Sequence, residues 1–89
     1  MDFQLPILAP SILAADFSKL GSDIQDCIDG GVTWIHCDIM DGHFVPNISY
    51  GPSIVKAAKK SAPDAFMDVH LMIEDPDKFV DDYVRAGAD

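Results

Sequence analysis

The sequence predicts an α/β fold: three successive βα units carrying a parallel three-stranded sheet in order 1-2-3. Three observations predict it. Short apolar runs rich in β-branched residues alternate with runs whose apolar residues recur at helical spacing, and turn residues separate them. The resulting order β-α-β-α-β-α needs parallel strands and right-handed crossovers. The second and third strands place polar residues on one face only, which selects a partial TIM (β/α)8 barrel. A doubly wound sheet covers both faces with helices and would bury those groups, whereas a barrel has helices outside only.

The first run, "LPILAPSIL", reads as a buried strand from Leu5 to Leu13, interrupted by Pro6 and Pro10. Asp16 then stands as an N-cap before Phe17, Leu20, Ile24, Cys27 and Ile28, whose spacing makes a one-faced helix stopped by Gly30-Gly31. "VTWIHCDIM" is the second strand. "DGHFVPNISYGPS" follows as a loop of about ten residues, longer than most βα connections. "SIVKAAKKSA" is a short helix introduced by Pro52, with Ile54, Val55 and Ala58 on its apolar side. "AFMDVHLMI" is the third strand. The last helix has Asp75 as N-cap, Pro76 at its first position, Phe79, Val80, Tyr83 and Val84 on one face, and Gly87 as its stop.

Length and composition fit one small domain. An 89-residue chain with 48% hydrophobic and 24% charged residues is of ordinary globular type. Fifteen acidic residues against six basic give a net charge of −9, which argues against nucleic acid or an anionic membrane as partner. No apolar run approaches the roughly 20 residues of a membrane span, and the N-terminus lacks a cationic signal-peptide start, so a cytoplasmic location is expected. Cys27 and Cys37 lack metal or redox spacing and read as reduced, packed thiols.

Side chains alternate across a strand, so Trp34, His36, Asp38 and Met40 share one face while Ile35, Cys37 and Ile39 share the other. In the third strand Asp68, His70 and Met72 oppose Met67, Val69, Leu71 and Ile73, and the motif lies 32 residues behind its counterpart, with Met72 answering Met40. The apolar sets are expected against the helices. Ser11 joins the polar face if the first strand keeps phase. His36, Asp38 and His70, aimed into one cavity, form a mixed N/O ligand set that suits one divalent ion, Zn2+, Fe2+, Mn2+ or Co2+. The same spacing also suits core histidines hydrogen-bonded to aspartates, and the pattern leaves both readings open. Ser11 is a substrate-hydroxyl ligand or a turn residue; Met40 and Met72 are a substrate wall or plain core. His43 and Asn47 are expected as exposed turn residues, and Asp68 as a partner that orients His70.

"LAPSILAADFSKLG", "WIHCDIMDGHFVPNISYGP" and "DVHLMIEDPDKF" resemble, in order, the N-terminal part of the ribulose-phosphate 3-epimerase family. The resemblance covers essentially the whole chain. It implies that residues 1–89 are the N-terminal portion of a single ribulose-phosphate-binding (β/α)8 barrel domain, which needs more than about 200 residues. It implies an isomerase that interconverts D-ribulose 5-phosphate and D-xylulose 5-phosphate by proton transfer at C3 through an enediolate. Asp38 resembles one of two acid/base aspartates, and His36, Asp38 and His70 resemble metal ligands. Ser11, His36, Met40, His70 and Met72 resemble residues around the substrate. The second carboxylate and the phosphate site, built after strands seven and eight in such barrels, are expected outside these residues, so the 89-residue chain by itself should have little or no activity. A homo-oligomer is expected at full length. The rival readings are a sister epimerase, acting for example on allulose 6-phosphate, and a non-catalytic metal-binding or assembly module.

Overall fold

A computed structural model describes residues 6–89; Leu5, where the first predicted strand begins, lies outside the described residues. Two parallel strands form the sheet, β1 (Trp34–Met40) and β2 (Phe66–Met72), paired without offset from Trp34↔Phe66 to Met40↔Met72. Their crossover is helix α2 (Pro52–Ser61). Helix α1 (Leu20–Asp29) precedes β1 and helix α3 (Val80–Ala86) follows β2. Among the described residues no helix is long and apolar enough to cross a membrane.

The predicted first strand is corrected to an extended segment that meets β1 at one point. Ser11 forms an isolated parallel bridge with His36, whose N–H donates to Pro10 O at 2.9 Å. Because β2 occupies one edge of β1, this segment lies along the other. Proline has no N–H to give a ladder, so Pro6 and Pro10 thin the pairing. At Ser11 the chain also turns away: its hydroxyl accepts from Leu13 N, starting a 3-10 turn over Ile12–Ala14. The three-stranded sheet is therefore two-stranded among the described residues.

The core lies between the sheet and its helices, as alternation predicts. Ile35, Cys37 and Ile39 of β1 and Met67 of β2 are fully buried against Leu20 and Ile24 of α1 and Val55 and Ala58 of α2. Burial of such side chains stabilises by about 1.5–3 kcal/mol each. Both cysteines are free thiols, and burial pushes the Cys37 thiol up to about 11.

Two helix starts differ from expectation. Asp16 does cap, accepting from Ser18 N, but it caps a 3-10 turn (Phe17–Lys19) before α1, which leaves Phe17 half exposed. Asp75 does not cap with its side chain. It sits in the left-handed region at φ 55°, a conformation aspartate tolerates, and a 3-10 turn (Pro76–Lys78) precedes α3. The shortened helix turns only Tyr83 into the core and leaves Phe79, Val80 and Val84 exposed.

The stop of α3 is as predicted, and tight. Gly87 has φ 119°, and a Cβ there would lie 2.7 Å from Lys59 Cγ. Lys59 is held in place, its Nζ donating to Ala65 O at 2.8 Å and to Asp89 Oδ2 at 3.1 Å. Gly87→Ala is expected to destabilise the fold by about 1–3 kcal/mol through left-handed strain and this clash, read from urea denaturation midpoints.

Candidate functional site

The face of the sheet turned away from the helices is built in four rungs. Register sets Trp34 against Phe66, His36 against Asp68, Asp38 against His70, and Met40 against Met72. The lowest rung is aromatic, its rings stacked with centroids 4.1 Å apart. Histidine and aspartate exchange sides between the middle rungs, so each His36 nitrogen finds a different carboxylate. Nδ1 lies 2.9 Å from Asp68 Oδ2, and Nε2 lies 2.8 Å from Asp38 Oδ1. His70 Nδ1 is 3.9 Å from that same Asp38 oxygen. The other oxygen, Asp38 Oδ2, accepts from Ser11 Oγ at 2.7 Å.

Electrostatics follow from these contacts. Burial disfavours the charged form of His36, but its hydrogen bonds to Asp68 and Asp38 outweigh that and hold its pKa above the ordinary imidazole value. Burial likewise raises Asp38, yet the Ser11 hydroxyl and the His36 ring hold its carboxyl below the usual carboxylate range. Asp38 is therefore ionised at neutral pH although its side chain is only 17% exposed. His70 is the open side of the cluster, its side chain 59% exposed.

One ligand atom each from His36, Asp38 and His70 falls within a group whose members all lie within 4.8 Å of one another. Adjacent donors around an ion with bonds of about 2.0–2.2 Å stand about 3–3.5 Å apart; the Asp38 Oδ1 distances to His36 Nε2 (2.8 Å) and His70 Nδ1 (3.9 Å) lie on either side of that range. Ser11, His36, Asp38 and His70 are thus brought together as predicted, with Met40 and Met72 paired as the rung above. Asp68 departs from expectation: it bonds His36 rather than His70, because register places it opposite His36.

The long loop after β1 contributes more than the sequence suggests. His43 and Asn47 are exposed, as expected. Asp41 organises the loop: Oδ1 accepts from His43 N and Phe44 N, and Oδ2 accepts from Glu74 N at 2.8 Å, tying the loop to the end of β2. The Glu74, His43 and Phe44 amides hold the Asp41 carboxyl below its ordinary value. Its contribution is present above the unfolded carboxylate pKa and is lost as pH falls through the depressed one. Amide protection at Glu74 should accordingly persist through the ordinary carboxylate range and disappear only on its acid side, and in Asp41→Ala it should be low at every pH. Hydrogen exchange followed by NMR checks this.

Ser49 and Tyr50 escape sequence reasoning altogether. Ser49 Oγ donates to Asp38 O at 2.6 Å and accepts from Met40 N at 2.9 Å, and Asp38 N donates to Tyr50 Oη at 3.2 Å. The available signal was two consecutive hydroxyl side chains where a long loop has room to double back on its strand.

These features define a class: parallel βα units that present a His/Asp/His cluster on the sheet face opposite the helices. The chain belongs to the ribulose-phosphate 3-epimerase family, whose model, described as "Ribulose-phosphate 3 epimerase family", matches residues 7–89. It is 55% identical over 82 residues to a ribulose-phosphate 3-epimerase of Bacillus subtilis, covering 92% of this chain and 37% of that protein. It is 53% identical over 83 residues to the one from Synechocystis, covering 93% and 36%. A chloroplastic ribulose-5-phosphate-3-epimerase of Arabidopsis thaliana is 49% identical over 83 residues, covering 93% and 29%. The chain thus spans a little over a third of the length of the first two relatives.

Proposed function

We propose that these residues form the N-terminal part of a (β/α)8 barrel that interconverts D-ribulose 5-phosphate and D-xylulose 5-phosphate, and that they supply one of its two acid/base groups and most of its metal site. The observation that carries the reading is Asp38, ionised and set between His36 and His70 with Ser11 on its second oxygen. His36 Nε2, an Asp38 oxygen and His70 Nδ1 would hold one divalent ion, Zn2+, Fe2+, Mn2+ or Co2+. When bound, the ion supplies Lewis-acid stabilisation of negative charge that develops on the substrate oxygens.

The chain's own residues do the rest. Asp68 accepts Nδ1–H of His36, so that the ring would offer its Nε2 lone pair to an ion once the Nε2 proton shared with Asp38 is displaced. Asp38 accepts the C3 proton as general base, and Ser11 keeps its carboxylate aimed. Met40 and Met72 form an apolar rung above the carboxylate, beside the reacting carbons. Inversion at C3 needs an acid on the opposite face of the enediolate. That second carboxylate and the phosphate site belong to the later βα units of the proposed barrel. A cytoplasmic, homo-oligomeric enzyme completes the reading, the two free thiols suiting a reducing compartment.

The test is a chimera in which this chain replaces the matching segment of the Bacillus subtilis relative. Incubated in D2O with D-xylulose 5-phosphate and each of the four metals, it should place deuterium at C3 and yield D-ribulose 5-phosphate. A folded chimera that binds metal but leaves C3 unlabelled would reduce the chain to a metal-binding module. Turnover of allulose 6-phosphate in preference to the pentulose phosphate would move the reading to the sister epimerase.

A further inference from the structure

The first segment of the chain abandons β1 at a chemically sensitive place. His36 N bonds Pro10 O, and Ser11 bridges His36, but at Ile12 the segment curls into its 3-10 turn. Alternate residues of a parallel strand direct both backbone groups to the same edge, so Asp38 and Met40 present theirs where that segment would have continued. Among the described residues no strand pairs with four ladder groups on that edge: N–H and C=O of Asp38, and N–H and C=O of Met40.

All four are taken up by two residues of the loop. Tyr50 Oη accepts from Asp38 N at 3.2 Å, Ser49 Oγ donates to Asp38 O at 2.6 Å and accepts from Met40 N at 2.9 Å, and Ser49 N donates to Met40 O at 3.1 Å. Tyr50 is itself fixed by an edge-on contact with Phe17, ring centroids 5.7 Å apart. The loop is shaped to deliver this pair. Gly42 turns it at φ 80°, where a Cβ would meet Ile48 Cγ1 at 2.8 Å, and Asp41 bridges Ile48 just before Ser49.

We propose that Ser49 and Tyr50 are positioning residues that stand in for the missing strand edge and hold the Asp38 carboxylate in its working orientation toward His36 and His70. The proposal rests on the reading of Asp38 as base and ligand given above. A strand end without ladder partners opens locally, and an ångström of drift in a base or ligand is enough to lower turnover about 10²-fold. One serine hydroxyl serves both Asp38 and Met40, so its loss releases two backbone groups at once.

Three variants test this. In Ser49→Ala, Co2+ affinity measured from visible absorption should fall about tenfold, and the cobalt spectrum should change shape. In the chimera kcat should fall with KM nearly unchanged. Ser49→Thr, which keeps the hydroxyl, should restore both, and Tyr50→Phe, which keeps the ring on Phe17, should give a smaller loss of the same kind. Independently of metal and turnover, hydrogen exchange should show Asp38 and Met40 amides losing protection in Ser49→Ala while Cys37 and Ile39 keep theirs. The proposal is overturned if Ser49→Ala keeps its cobalt spectrum, kcat and amide protection, or if Ser49→Thr behaves like Ser49→Ala while the rest of the sheet stays protected. If the unmodified chimera fails to label C3, the epimerase reading falls, and the amide and cobalt measurements still decide the role of Ser49.

Discussion

Asparagine in place of Asp38 should lower C3 exchange in the chimera by about 10²–10⁴-fold, the range general base catalysis supplies. The substitution keeps an oxygen to accept from Ser11 Oγ and leaves β1 paired with β2, so the circular dichroism spectrum and melting temperature should barely move. What disappears is the negative charge, and with it, on the proposed reading, both the proton acceptor and one anionic ligand. Deuterium labelling followed by mass spectrometry gives the rate. A variant that exchanges C3 at the unmodified rate would remove Asp38 from the reaction.

The second large effect is expected at His36. Its ring lies 2.9 Å from Asp68 Oδ2 and 2.8 Å from Asp38 Oδ1 and so joins the two carboxylates. On the proposed reading His36→Ala takes away a metal donor, and it leaves the Asp68 and Asp38 carboxylates without the ring that both contact. Affinity for Zn2+ or Co2+ should drop by more than the about 10–100-fold that follows loss of an outer partner. Asp68→Asn provides that smaller reference, since it only loosens the ring. Calorimetric titration of the two variants should rank them in that order. Equal losses would mean that Asp68 is itself a ligand.

What could be read from the sequence followed from periodicity. β1 and β2 were predictable because their alternation is uninterrupted, and the same alternation located His36, Asp38 and His70 on one face before any contact was known. Gly87 and Pro52 bounded their helices for local backbone reasons that need no tertiary context. Failures came where one local rule competed with another. "LPILAPSIL" has the hydrophobicity of a strand, but its prolines and the Ser11 turn decide otherwise. Asp75 has the identity of a cap and the backbone of a turn. Sequence spacing pairs Asp68 with His70 on its own strand, whereas the structure pairs it with His36, because the register that sets His36 opposite it is a property of two strands and not of either one. Ser49 and Tyr50 lay out of reach for a similar reason: their partners are backbone groups, which carry no sequence signature.

The exchange of histidine and aspartate between adjacent rungs also bears on how the sheet assembles. A slip of one residue would turn Asp68 and His70 into the space filled by Met67, where the buried residues among those described are hydrophobic. A slip of two would set His36 opposite His70 or Asp38 opposite Asp68, like against like. The native alignment brings His36, Asp38 and His70 together, so an ion held there as proposed would add to the stability of the paired strands. The cluster thereby sets the native register apart from its neighbours, because the pairing of unlike side chains across β1 and β2 exists at that alignment and is lost on a shift in either direction.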